Sequence, residues 1–348
     1  MKKITVLTDY GRIPLFFTAK PFFLDEKNNY YFTRSIDYCM KKDKNSFLFL
    51  IRNPKNDNDF QSNIQGLRKK YKKIYYFDDD ARAIISRPDL IPYVDKYFKG
   101  KIYKDKTEYF SETNHMATFA KYYFTKNNMR EKITKSSYEI NHKDLEKIEL
   151  SWNLGIGFYP MSTKIFRTAS LISLVSSPKI GFYFLKNVSK FIRYKKLKNK
   201  KTINAQFSDQ GNYHGLHRKA ILSVLKEFSN VITEKTSNRE FNNNIASSVA
   251  TISPFGWGEI CFRDFEAIYA KSLLVKPKMS HLETWPDIYQ ESFTYISIEW
   301  DHSNLKTVVE EIQNSPNKYM NVVKNAERIY FGEIAKLQSK VDAIIATL

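Results

Sequence analysis

Short runs of β-forming residues separated by helix-length stretches occur in two series along this chain, and that alternation constrains its fold more than any other feature. In the first half the runs fall at residues 4–8, 47–51 and 74–77, each bounded by polar or turn residues. Strands joined by helix-length connections favour a parallel sheet with crossover helices. The alternation resumes after residue 201, with strands expected at 202–207, near 231–233, at 273–275 and at 294–298, and a further segment at 245–252. Helices are expected at 115–126, 143–150, 215–228, 259–270, 305–313 and 318–346. The expected class is α/β, with two tandem domains divided near residue 200.

A length of 348 residues suits two domains, because single cores stop growing at roughly 250–300 residues. Apolar residues make up 42% and aromatic residues 15%, too much core-forming material for an intrinsically disordered chain. No apolar run is long enough to span a bilayer. Met1-Lys2-Lys3 resembles the start of a signal peptide, but the apolar stretch ends at Leu7, so no export signal is read. Cys39 and Cys261 give neither a disulfide framework nor a zinc spacing, which suits a reducing cytoplasm.

The 56 Lys+Arg outnumber 37 Asp+Glu, a formal charge of +19 that raises nucleic acid, an anionic membrane surface and anionic small molecules as partners. The basic residues are spread along the chain, with local maxima at 68–73 and 193–201, and no zinc-finger, basic-zipper or RNP-type pattern accompanies them. Nucleic acid is therefore not the expected partner. The segment 180–201 runs from Ile180, Phe182, Phe184 and Leu185 into a basic cluster. It reads either as an amphipathic helix lying on an anionic bilayer or as a core-facing helix followed by a solvated linker.

The segment Ser253-Pro254-Phe255-Gly256-Trp257-Gly258 leads into Glu259-Ile260-Cys261-Phe262-Arg263-Asp264-Phe265-Glu266. Glycines before a helix let N–H groups at its positive end approach a phosphate. On a helix, Glu259, Arg263 and Glu266 fall within about 60° of one another, opposite Ile260, Cys261, Phe265 and Ile268. That face suits a sugar nucleotide, with Arg263 on the diphosphate and Glu266 on ribose hydroxyls, or it is an ordinary solvated face with spaced charges.

Over residues 253–300, "SPFGWGEICFRDFEAIYAKSLLVKPKMSHLETWPDIY" followed by "TYISIEW" resembles the donor-binding half of bacterial GT-B glycosyltransferases of surface-polysaccharide and lipopolysaccharide synthesis. The stretch "TINAQFSDQGNYHGLHRKA" at 202–220 resembles the first strand, loop and helix of the same domain, and the N-terminal half matches in general layout. The resemblance implies two Rossmann-like domains with parallel sheets facing across a cleft. Residues 1–200 would form the acceptor side with a basic linker, 201–325 the nucleotide-sugar domain, and 326–348 a helix packing back on the first. Gly256 and Gly258 would shape the donor loop, Arg263 and Lys276 would meet phosphate, Glu266 would bind ribose, Arg218 would be a further donor-binding residue near the cleft, and Glu259 would lie near the transferred sugar. His217, with His214 beside it, would fall near the cleft. Two departures stand out: the Glu259 to Glu266 spacing is one residue shorter than the paired-glutamate motif, and Lys271-Ser272 replaces a helix-ending glycine.

Asp78-Asp79-Asp80 contains the D-x-D pattern by which GT-A glycosyltransferases hold a divalent ion, but it also reads as a polar strand end. The combined reading is a cytoplasmic glycosyltransferase, metal-independent and without a cofactor, that moves a hexosyl or deoxyhexosyl group from a nucleotide sugar to a glycan or lipid-linked acceptor. It would sit at the inner face of the cytoplasmic membrane. Asp9, His115 and Asp79 are the candidate general bases, and the sequence does not choose among them. A metal-dependent GT-A enzyme and a non-catalytic nucleotide- or carbohydrate-binding protein are the alternatives.

Overall fold

The computed structural model of the protein describes residues 1–52, 60–110, 116–129, 138–192, 194, 202–211 and 213–348. The first part of the chain contributes β1 (Lys3–Thr8), β2 (Asn29–Thr33), β3 (Phe47–Ile51), β4 (Lys73–Asp78), β5 (Lys96–Lys99), β6 (Lys101–Tyr103) and β7 (Ile148–Leu150). Six of these form a wholly parallel sheet in the order β2-β1-β3-β4-β5-β7. β3 and β4 read as nearly continuous apolar runs because helices cover both faces. Rings pair across neighbouring strands, Phe49 on Tyr75 at 5.6 Å and Phe77 on Phe98 at 4.9 Å.

The second part supplies β8 (Thr202–Asn204), β9 (Val231–Ile232), β10 (Ser248–Ile252), β11 (Leu273–Pro277), β12 (Leu282–Thr284) and β13 (Ile296–Ile298). Its parallel sheet has the order β13-β11-β10-β8-β9. The expected segment 245–252 divides here. A Ser237/Glu240 capping box starts the helix Asn238–Ser247, and β10 follows directly.

The single helix expected at 318–346 breaks at Lys336 into Met320–Ala335 and Leu337–Ala346, and two further expectations change. The helix expected at 143–150 is a single turn, His142–Leu145, because the Asn141/Asp144 capping box opens it and Ile148 pairs with Tyr97 in β7. The helix expected from 259 begins at Phe262, because the Asp264 carboxylate accepts from the Cys261 backbone N–H at 3.0 Å and fixes the cap there.

Between β7 and β8 in the chain comes a helical hairpin, Thr163–Val175 and Pro178–Ser189, packed on the first half through Phe17 against Phe166 and Phe23 against Phe182. Gly181 lets its helices meet closely, since a Cβ there would lie 2.6 Å from the Ala169 carbonyl oxygen. Among the connections between the two halves three stand out. β6 pairs with β12 in an antiparallel ribbon, Ile102 opposite Glu283. Gly258 abuts the Ala81 carbonyl so tightly that a Cβ would fall 1.6 Å from its oxygen. The helices Met320–Ala335 and Leu337–Ala346 return to the first half, where the Tyr330 hydroxyl donates to Gly155 O at 2.6 Å and Lys2 Nζ to Ile345 O at 2.7 Å. The larger core is shared, since Phe255, Ile260, Phe265 and Ile268 belong to the same buried cluster as β1, β3 and β4.

Candidate functional site

In an open parallel sheet ligands bind outside the carboxyl ends of the strands. Here those ends in the second half carry the loops after β8 and β10, and two guanidinium groups meet on them. Arg218, on the helix Tyr213–Leu225, donates from Nε to Phe255 O and from Nη1 to Ser208 O, both at 2.9 Å, tying the two loops together. Arg263, in the first turn of the helix Phe262–Tyr269, donates to Gln206 O at 2.6 Å. Both lie against Phe207, 6.0 and 5.7 Å from its ring centre. Among the described residues neither makes an ion pair with a carboxylate, and Arg263 Nε is buried without a hydrogen-bond partner. Gly256 leaves room for this arrangement, because a Cβ there would press to 3.1 Å from Arg218 Nη2.

Glu266 follows Arg263 by three residues and so lies one helical turn on. Burial pushes its carboxyl up to about 7, against the opposing pull of Arg263 and with a further push from Asp264. Tyr194, at the end of the linker, is drawn into the same cluster: its hydroxyl is buried without a partner, and Glu266 and Arg263 both act on it electrostatically. Buried donors that lack partners suit a polar ligand. Along the same edge, beyond β11 and β13, a cleft of about 430 Å³ is bounded by Lys278, His281, Glu299 and Trp300 and closed from the first half by Tyr122. His281 Nε2 is buried and unpartnered, and burial holds this ring down to about 4.

Other predicted site residues occupy different settings. Glu259 is not on the helix face with Arg263 and Glu266; it lies in the loop before it, fully buried, accepting from the Ala83 N–H at 3.1 Å across the domain contact. Burial raises its carboxyl, while Lys101 opposes that shift. Gly258 likewise faces the first half, as its closeness to Ala81 requires. Lys276 is wholly buried and paired with Asp264 at 3.1 Å; the same carboxylate accepts from Ser253 and from the Tyr289 hydroxyl. Its ammonium is thus consumed inside the domain and does not stand free for a phosphate.

His217 is buried in a stack between Tyr123 and Phe255. Its Nε2 accepts from the Phe255 N–H at 3.3 Å, so its Nδ1 carries the proton and donates to His302 Nε2 at 2.8 Å. Burial, then the neighbouring His302 ring, holds His217 well below the usual histidine value, and burial holds His302 down to about 4, so both rings stay neutral. His214 packs against the exposed Trp257 at 4.9 Å.

On the first sheet the strand ends carry Asp9, which accepts from Gly11 N at 3.1 Å and pairs with Arg12 at 3.3 Å. Asp79 is paired with Arg52 at 2.5 Å. The Asp78–Asp80 carboxylates do not converge on an ion. Asp78 is bound by Lys99, Ser86 and Tyr97, Asp79 by Arg52, and Asp80 by Arg82. Among the described residues no group of three metal-ligating side chains forms. The D-x-D pattern is therefore a strand end closed by protein cations. His115 lies outside the described residues.

No protein-family model matches the sequence, and no curated protein is significantly similar to it. In three dimensions the chain is similar to Anabaena Alr3699/HepE, solved with UDP and with UDP-glucose, at a TM-score of 0.51 and 10% identity over the full length of both chains. It is also similar to a glycosyltransferase from Rickettsia africae ESF-5, at a TM-score of 0.50 and 9% identity, covering 99% of this chain and 97% of that one. The architecture is that of the GT-B fold, two Rossmann-like domains with parallel sheets.

Proposed function

We propose that the protein is a glycosyltransferase that moves a sugar from a nucleotide-sugar donor to a hydroxyl of a bacterial glycan or lipid-linked acceptor at the inner face of the cytoplasmic membrane. The observation that carries this reading is the pair Arg218 and Arg263 over Phe207, unneutralised by any described carboxylate ion pair, with Glu266 one turn away. Charge builds on the leaving diphosphate during glycosyl transfer, and fixed guanidinium groups already aimed there lower the barrier without reorganising. Arg218 and Arg263 supply that role, so the reaction as proposed does not depend on a metal. The Glu266 carboxylate accepts from ribose hydroxyls, and Tyr194 closes the same pocket. Glu259 holds the donor loop against Ala83 and so keeps the domains together. Asp9, at the end of β1, takes the acceptor proton.

Thermal unfolding against a panel of nucleotides and nucleotide sugars, with and without EDTA, tests this, because a ligand bound only by the native state raises the midpoint by mass action. Uridine nucleotides head the panel, since Alr3699/HepE was solved with them. A shift that survives EDTA, and that falls in Arg263→Ala and Arg218→Ala by about tenfold or more in affinity, supports the reading. Binding without any turnover of the sugar would leave a nucleotide-binding protein. A panel in which nothing shifts the midpoint would sink the donor site.

A further inference from the structure

Of the fourteen large apolar side chains that stand exposed among the described residues, five gather at one place, the turn end of the helical hairpin. Leu171, Leu174 and Val175 lie on the last turn of the first helix, and Ile180 and Tyr183 at the start of the second. Val175 is 86% exposed, Leu171 63% and Ile180 54%. The hairpin does not need these side chains to fold, because its inner face is already filled by Phe166, Ala169, Ser173, Phe182 and Leu185. A contiguous apolar tip of this kind marks a surface that something else covers.

Three further observations say what covers it. From Leu150 to Ser208 the sequence contains no Asp or Glu but eleven Lys or Arg, and Lys164, Arg167 and Lys179 stand exposed around the apolar tip. The hydroxyls of Thr168, Ser170, Ser173 and Ser176 each donate to the carbonyl four residues back, so they keep their partners when water is withdrawn. Leu174 packs beside Gly11, where a Cβ would lie 3.2 Å from its Cδ1, so the tip adjoins the loop of Asp9 and Arg12.

We infer that the hairpin tip is a docking face for an anionic lipid bilayer, its apolar side chains entering the headgroup boundary while Arg167 and Lys179 meet lipid phosphates. An apolar edge backed by cations is the chemistry of interfacial binding. A second copy fits poorly, because a two-fold contact through this face would set one basic hairpin, itself without acidic residues, against another. Docked this way, the protein holds the Asp9 end of its first sheet at the membrane. What that placement serves, a lipid-linked acceptor, rests on the proposed function; the docking itself does not. No helix of the described residues is long and apolar enough to cross a membrane, so the contact is peripheral.

Co-sedimentation of the full chain with phosphatidylcholine vesicles, with and without phosphatidylglycerol, tests it. The protein should bind only the anionic vesicles, less tightly as salt rises. The double variant Val175→Ser/Ile180→Ser should bind about tenfold more weakly or worse, as should Arg167→Glu/Lys179→Glu, all with unchanged unfolding midpoints. Three results would overturn the inference: no binding to either vesicle, equal binding of the apolar double variant and the parent, or a concentration-dependent dimer that the apolar variant abolishes. Nucleotide-induced thermal shifts, measured on the same samples, separate this outcome from the fate of the donor site.

Discussion

At the residue scale the chain is least tolerant where two backbones touch. Gly258 leaves no space for a methyl group against the Ala81 carbonyl, and backbone cannot move aside as a side chain end can. Gly258→Ala should therefore cost about 3 kcal/mol and loosen the domain contact, read as a fall in the unfolding midpoint with faster hydrogen exchange at Ala83. An unchanged midpoint would mean that the domains already part at this point. Glu266 gives a prediction in pH. Its folded carboxyl titrates near 7 against an ordinary 4.5, so its contribution to stability is fully present below about pH 4.5 and lost as pH rises through about 7. Glu266→Gln should match the parent in acid and gain on it progressively up to pH 8; a difference independent of pH would place the carboxyl in water. The spacing of Arg263 and Glu266 made both readable in the sequence as neighbours on one helix face. Lys276 and Glu259 were not readable in this way. A lysine at the end of a β-run looks the same in sequence whether it faces a ligand or, as here, a buried Asp264. Tyr194 carried no signal beyond the basic cluster around it.

At the element scale, strand runs were more legible than helix bounds, which the caps at Asn141 and Cys261 set differently from the periodicity. The runs that became β1, β3 and β4 are buried at every position after the first, as strands covered on both faces must be, and their sequences are correspondingly rich in apolar and aromatic residues. β2, by contrast, is a half-exposed edge, Asn29-Tyr30-Tyr31-Phe32-Thr33, with no such run to betray it. The β6–β12 ribbon joins two strands of three residues each from opposite halves, and no local pattern encodes a pairing so short and so distant. The lysine that replaces a helix-ending glycine has a definite consequence. Lys271 adopts φ +53°, the left-handed region, directly after the helix Phe262–Tyr269 and its cap Ala270. A side chain there costs about 1 kcal/mol relative to glycine, while its exposed pair with Glu327 returns about 0.5 kcal/mol or less. Lys271→Gly should then be slightly stabilising, by about 0.5 kcal/mol in urea unfolding. A loss of 1 kcal/mol or more would show that the ion pair dominates.

At the scale of the whole molecule, the two sheets do not have independent cores. One buried cluster runs from β1, β3 and β4 through Phe255 and Phe265 to Val341, Ile344 and Ile345 of the helix Leu337–Ala346, while a smaller one fills the second sheet. The helix Phe262–Tyr269 is thus packed on the first half: Gly155 makes way for the Phe265 ring, and Tyr159 lies 5.6 Å from it. Any relative motion of the two halves must work against this shared core and against the β6–β12 ribbon, which favours small displacements over wide hinge opening. Val341→Ala with Ile344→Ala tests how far the sharing extends. Both side chains are buried, and together the truncations should cost about 4 kcal/mol. If the core is continuous, amide exchange should accelerate together in β1, in the Leu337–Ala346 helix and in Phe262–Tyr269, because all three lose protection through the same opening. Acceleration confined to residues 337–346 would instead show the last helix to be an appendage, and would return the helix Phe262–Tyr269 to the second sheet alone.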